Sequence, residues 1–300
     1  MNKRTLAFIA AVVATTIYAL NHTIAKGVMP HHIKAFGFIL LRVSGASILF
    51  WCLAFLGPKQ RIDKKDWIRL IVCSFFGMVI NMLSFFKGLE LSTPVNSAIL
   101  VTVTPIIVAF FSFFLIKERL SQQKILGIAM GFGGALTLIL MNEATGFNAP
   151  NIPLGNALFV LNATCYGIYL ILVKQLTEKY HPFVLMRWLF TLAVIMNLPI
   201  TLPEFLEVQW SEIPAEGLLA MLFVVVGTTF TTYLFNAFAL TQLKASSLSV
   251  FVYAQPIIGI AYAVITGQDV FRILDFFAAL MVFTGVYLAT RRVKKGVGAS

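Results

Sequence analysis

Apolar residues run through this chain in stretches of about twenty, broken by short clusters of charge, proline or glycine. A helix needs roughly 20 apolar residues to cross ~30 Å of hydrocarbon, so each stretch predicts a membrane-spanning helix. The pattern places ten spans near residues 5–26, 33–56, 67–87, 94–116, 121–141, 154–174, 182–202, 216–239, 245–266 and 272–291. The first stretch, "MNKRTLAFIAAVVATTIYA", has the basic start and apolar run of a secretory signal. That run continues to Ala25 and its tail recurs later in the chain, so it is read as the first span.

The recurrence extends along the chain. "ATTIYALNHTIAK" (14–26) resembles "NATCYGIYLILVK" (162–174), which pairs Tyr18 with Tyr166 and Lys26 with Lys174. "FGFILLR" resembles "HPFVLMR", pairing Arg42 with Arg187. From Gly88 to Gly134 the second copy follows at a constant offset of 151, which sets Pro105 ("TVTPIIV") on Pro256 ("YAQPIIG"). The chain is therefore expected to be an all-α membrane protein of ten transmembrane helices, built from two five-helix repeats over 1–146 and 147–300. Five is odd, so the repeats are inverted across the bilayer, and inverted repeats with a site near the midplane are the architecture of secondary transporters.

Composition and charge sharpen this picture. Hydrophobic residues make up 59% and charged residues 12%, with a mean hydropathy of +0.88. The net charge of +11 lies in short runs between spans, so it reads as an orientation signal and no nucleic-acid partner is expected. An N-terminus in the cytoplasm puts seventeen Lys and Arg residues inside and leaves Lys26, Lys34, Lys87 and Arg272 outside, with Arg42 and Arg187 within spans. Both termini are thus expected in the cytoplasm. Cys52, Cys73 and Cys165 are widely spaced in apolar runs and read as packing residues.

The segments "FKGLELSTPVNSAILVTVTPIIVAFFSFFLIKERLSQQKILGIAMGFGGALTLI" and "NAFALTQLKASSLSVFVYAQPIIGIAYAVITGQDVF" resemble the EamA branch of the drug/metabolite transporter superfamily. The resemblance covers nearly the whole chain, on a loose pattern of glycine, proline and a short charged break. It implies ten helices around a central cavity and export of amino acids or other small metabolites across a bacterial inner membrane.

Arg42 lies in the middle of its span, where an unsupported arginine costs ~2.5–3.5 kcal/mol on insertion scales. A guanidinium stays charged and holds a carboxylate through two parallel hydrogen bonds, so Arg42 is a candidate anion anchor beside its structural reading. Asn21 and Asn81 are expected to help solvate it. Arg187 lies a turn into its span and reads as snorkelling. Tyr18, Asn21 and His22 form a polar patch on the first helix, mirrored by Tyr166 and Tyr169, while Asn81, Tyr233 and Asn236 line the third and eighth. Phe85, Trp188 and Tyr253 supply candidate aromatic walls. Pro105 and Pro256 are candidate hinges, because a mid-span proline removes a helical hydrogen bond. "GIAMG" (127–131) is a GxxxG packing pattern within the chain.

All twelve acids fall in loops or near span ends. No P-loop, HExxH or metal-spaced His/Cys/acid cluster occurs, so neither an enzyme, a metal site nor a cofactor is expected. The expected function is a secondary transporter exporting a small carboxylate-bearing metabolite, an amino acid being the simplest case, by alternating access. A nucleotide-sugar or organic-phosphate carrier is the alternative, followed by a membrane-embedded lipid enzyme using His31 and His32. The expected partners are the substrate and the bilayer, with the chain a monomer or homodimer.

Overall fold

The computed structural model describes residues 3–104, 106–107, 122–140, 149–242 and 254–290. Helices α1 (Lys3–Val28) and α2 (Ala35–Ala54) come first. Helix α3 opens on a 3₁₀ turn, Lys64–Asp66, passes through a π-helical segment at Phe75–Ile80 and ends at Leu91. Helix α4 (Pro94–Val103) starts where the sequence demands. Thr93 accepts a hydrogen bond from Asn96 N at 3.3 Å, and proline takes the first helical position. Helix α5 spans Gln122–Leu140, and α6 spans Ile152–Lys179 behind an Asn151 cap that accepts from Leu154 N. Helix α7 covers Pro182–Leu206. Helix α8 follows a further 3₁₀ turn, Trp210–Glu212, and runs from Ala215 through a π segment at Phe223–Thr231 to Gln242. Helices α9 (Ala254–Ile265) and α10 (Ile273–Thr290) complete the described chain.

Among the described residues six helices (α1, α2, α3, α6, α7 and α8) are long and apolar enough to cross a membrane. The other four expected spans appear as shorter apolar stretches, Pro94–Val103, Ile125–Thr137, Ala254–Ile265 and Ile273–Gly285. All four, α4, α5, α9 and α10, adjoin residues outside those described. Large apolar side chains such as Ile195, Ile200, Leu219 and Ile257 stand exposed around the outside. Apolar surface on that scale belongs against lipid, and the fold is that of a multi-pass membrane protein.

Close helix pairs organise the interior: α2 on α7, α3 on α6, α5 on α10, and α1 on both α8 and α9. Small residues permit the approach. A Cβ added at Gly37 would lie 3.0 Å from the Glu204 carbonyl oxygen, and one at Gly57 would lie 2.9 Å from the Phe183 ring. These contacts lie at opposite ends of α2 and α7, which therefore run antiparallel. The "GIAMG" glycines pack within the chain, since a Cβ on Gly285 of α10 would meet Gly127 O and Gly131 N at 2.6 Å. Hydrophobicity adds little to helix association in lipid, so such backbone approach supplies much of the contact.

The paired π segments have a local cause and a consequence. Thr229 and Thr231 hydroxyls donate to carbonyls five residues back, Val224 O and Val226 O, the spacing that a π turn sets. In α3 the segment carries Gly77, whose missing side chain is filled by the Tyr169 ring, 2.5 Å from where a Cβ would be. π segments are rare and gather at functional sites. These two lie on the third and eighth helices, which the sequence repeat pairs.

Candidate functional site

Arg42 is buried at 6% exposure in the middle of α2. Its Nε donates to Thr229 Oγ1 at 2.5 Å, and its guanidinium carbon lies 5.1 Å from the centroid of the Phe86 ring. The π segment of α8 presents that threonine. Tyr18 of α1 and Tyr233 of α8 are near enough to interact electrostatically with Arg42, and Tyr18 also hydrogen-bonds the Thr232 side chain. The rings of Tyr166 and Tyr169 of α6 lie 5.8 Å apart at a tilt of 33°, near enough to Tyr18 and Tyr233 to interact electrostatically. Four helices thus converge on one arginine and four phenols. Among the described residues no carboxylate pairs with Arg42.

The other candidates separate into distinct places. His22 Nδ1 lies 2.7 Å from Ser97 Oγ of α4, and its ring meets Phe85 edge-on at 5.5 Å. Asn21 is buried, and its Oδ1 has no hydrogen-bond partner among the described residues. Asn81 does not serve Arg42. Its amide donates to Asn162 O at 3.1 Å while Asn162 donates back to Asn81 O at 2.9 Å, a reciprocal clasp between α3 and α6. Trp188 sits edge-on to both Trp51 and Trp67, away from the tyrosines in a cluster of its own. Arg187 rests 5.0 Å from the Trp51 ring and 5.6 Å from that of Trp188, and its Nη2 donates at 3.5 Å to Gln60 O in the turn between α2 and α3. Asn236 is half-buried on α8 and Pro256 buried on α9. Tyr253 and Pro105 lie outside the described residues.

The sequence pattern of the EamA-like transporter family matches residues 5–140 and again 153–291. The chain belongs to that family. Its similar proteins include the uncharacterized transporter YetK of Bacillus subtilis (strain 168), 20% identical over 98% of this chain and 90% of that one. The uncharacterized transporter YyaM of the same organism is 24% identical over 78% and 76%. An uncharacterized transporter of Archaeoglobus fulgidus is 23% identical over 89% and 90%. A solved crystal structure shares the fold at 16% identity and a TM-score of 0.62, covering 96% of this chain and 98% of its own. This EamA-like chain is a membrane transporter of small solutes.

At the two ends of the EamA-like bundle lie ionic latches that sequence reasoning missed. At one end Lys179 pairs with Asp63 and, at 2.5 Å, with Asp66, which also accepts from Tyr180 Oη at 2.6 Å. Gln60 bridges the same turn by donating to Lys179 O and accepting from His181 N. At the other end Lys34 pairs with Glu207 at 2.6 Å, and Glu204 Oε2 accepts from Phe36 N and Gly37 N. Glu90 completes that cap by accepting from Ala35 N at 2.8 Å, so two carboxylates satisfy the orphan donors of α2. Lys34 and Lys179 each stand eight residues ahead of the arginine of their repeat, Arg42 and Arg187. That shared register was the signal available in the sequence. The hydrogen bond that Lys34 donates to Glu207 raises its ammonium above its ordinary pKa.

A further long-range contact caps α4. Asp269 Oδ2 accepts from Val95 N at 2.9 Å, and the Thr93 side chain bonds it as well. Burial pushes the Asp269 carboxyl above its usual value of 3.8, while these hydrogen bonds pull it partway back.

Proposed function

We propose that this EamA-like transporter is a secondary carrier that exports a small carboxylate-bearing metabolite, such as an amino acid, by alternating access. The observation that carries the reading is Arg42, a buried permanent cation served by a hydroxyl and an aromatic face. Buried charges are ordinarily paired, because desolvation is otherwise uncompensated. A substrate carboxylate supplies the missing anion, and the phenols of Tyr18, Tyr166, Tyr169 and Tyr233 offer hydroxyls and apolar ring faces for the remainder. One deep arginine suits a single carboxylate better than the denser charge of a phosphate, which places the organic-phosphate reading second.

Alternating access fits ten spans in two inverted five-helix repeats. The matched latches then act as opposite gates, Lys179 with Asp63 and Asp66 at the cytoplasmic end and Lys34 with Glu207 at the outer end. Breaking one while keeping the other exposes the interior cluster to one side. The π segments of α3 and α8, with Pro256, supply the bends about which the halves rock. Uptake into sealed liposomes of the pure protein tests the reading. Saturable accumulation of a carboxylate metabolite, but not of its amide, supports it; transport of the amide at the same rate overturns it.

A further inference from the structure

Away from the interior cluster, a cleft of about 760 Å³ opens between the start of α3 and the end of α6. The two helices run antiparallel there, because α3 begins at the end where α6 finishes. Lys65, Asp66, Ile68, Arg69 and Val72 line one wall, with Leu172, Gln175 and Lys179 opposite. Lys65 and Lys179 lie nearest the helix ends, Arg69 follows a turn further along beside Ile68, and Val72 and Leu172 form the apolar floor farthest in.

Two features decide what such a cleft holds. The first is unbalanced charge. Lys65, Arg69 and Lys179 set three positive charges against the carboxylates of Asp63 and Asp66; Lys179 holds both carboxylates, Lys65 and Arg69 form no ion pair among the described residues, and the cleft is left net positive. The second is the outlook. Ile68 is 74% exposed and Ile71 42% exposed, so this face of α3 looks sideways toward lipid and not into the bundle. Cations at the headgroup level above an apolar floor match a phosphate ester carried on acyl chains. Basic clefts between helices on the cytoplasmic side bind anionic head groups on this ground. A zwitterionic head brings its own cation and leaves Lys65 and Arg69 unsatisfied, so the selection is for net negative charge.

We infer that the α3–α6 cleft is a binding site for an anionic phospholipid of the cytoplasmic leaflet, its phosphate held by Lys65 and Arg69 and its acyl chains laid on Ile68, Val72 and Leu172. The site shares no residue with the interior cluster, so the inference stands whatever the substrate proves to be.

The test is native mass spectrometry of the pure full-length protein titrated with phosphatidylglycerol and with phosphatidylcholine of identical chains. The expected result is at least tenfold tighter binding of phosphatidylglycerol. Lys65→Gln with Arg69→Gln should erase that preference, each single change removing part of it. The pair Lys59→Gln and Arg61→Gln, nearby but outside the cleft, should keep it. Thermal melting confirms that these surface variants fold. Equal binding of the two lipids, or a preference unchanged by Lys65→Gln with Arg69→Gln, overturns the site. Competition by soluble glycerol 1-phosphate at the same concentration as the lipid overturns the lipid assignment and leaves a free-phosphate site.

Discussion

Arg42 Nε donates to Thr229 Oγ1 at 2.5 Å, and that hydroxyl in turn donates to Val224 O at 2.9 Å, five residues back in the π segment of α8. The arginine lies in the first stretch that matches the family pattern, 5–140, and the threonine in the second, 153–291. Their contact ties an aberrant turn of backbone to the only buried cation in the middle of a span among the described residues. A regular α-helical α8 would rotate Thr229 away from α2 and leave the guanidinium without its partner.

Thr229→Ala should therefore weaken substrate binding. A hydrogen bond to a charged group contributes ~1.5–3 kcal/mol, roughly tenfold to a hundredfold in Kd. Thr229→Ser keeps the hydroxyl and should retain most of the affinity. Calorimetric titration of the two variants checks this. Equal weakening in both would assign the effect to packing.

The latches predict a sidedness of exposure. In a chain whose three native cysteines are alanine, a cysteine at Tyr166 reports access to the interior. Lys179→Gln should speed its labelling by an impermeant thiol reagent several-fold in inside-out vesicles, and Lys34→Gln should do so in intact cells. Acceleration on the same side in both variants would remove the gate assignment.

Much of this arrangement is legible in the sequence, for physical reasons. Spanning helices announce themselves because each must be apolar over its whole length, and Arg42 stands out against that background. The pairing of Tyr18 with Tyr166, and their convergence with Tyr169 and Tyr233, follows from helical spacing repeated in both halves. Other contacts were hidden. Asn81 looks like cavity lining on its own, and only its register with Asn162 across α3 and α6 makes the two a clasp. Trp188 reads equally as a wall or as packing until Trp51 and Trp67 are seen on it. Glu90 and Glu204 cap a helix that neither precedes in sequence, and no local signal foretells a tertiary cap. The π segments have no sequence signature beyond Gly77, Gly227 and a run of threonines.

Asp269 sets a pH dependence of stability. Its carboxyl is raised above 3.8 by burial, so the folded chain holds that proton more tightly than the unfolded chain. In the window from 3.8 up to the raised value, stability falls as pH rises. Asp269→Asn keeps an acceptor for Val95 N and should flatten that slope. Asp269→Ala loses the cap and should cost about 1 kcal/mol at neutral pH. Melting of the three proteins across the acidic range, read as differences from the parent, checks both. A slope unchanged in Asp269→Asn would contradict the assignment.

The orientation predicts that cysteines placed near Lys64 and Lys294 are shielded from an impermeant thiol reagent in intact cells, while one near Glu207 reacts. Reaction at Lys64 would reverse the bundle and exchange the two gates.

The central claim is that Arg42 binds the anionic group of the substrate. Its most direct test is a thermal-shift screen of the pure protein and its Arg42 variants against a metabolite library, since a ligand that binds the folded state alone raises stability by mass action. The account predicts that the stabilising ligands are carboxylates. Arg42→Lys, which keeps the charge but loses the two-pronged donor, should bind them more weakly, and Arg42→Gln should fold yet lose the response. Stabilisation by cationic or neutral ligands alone, an undiminished carboxylate response in Arg42→Gln, or failure of that variant to insert would each make Arg42 structural and contradict the claim.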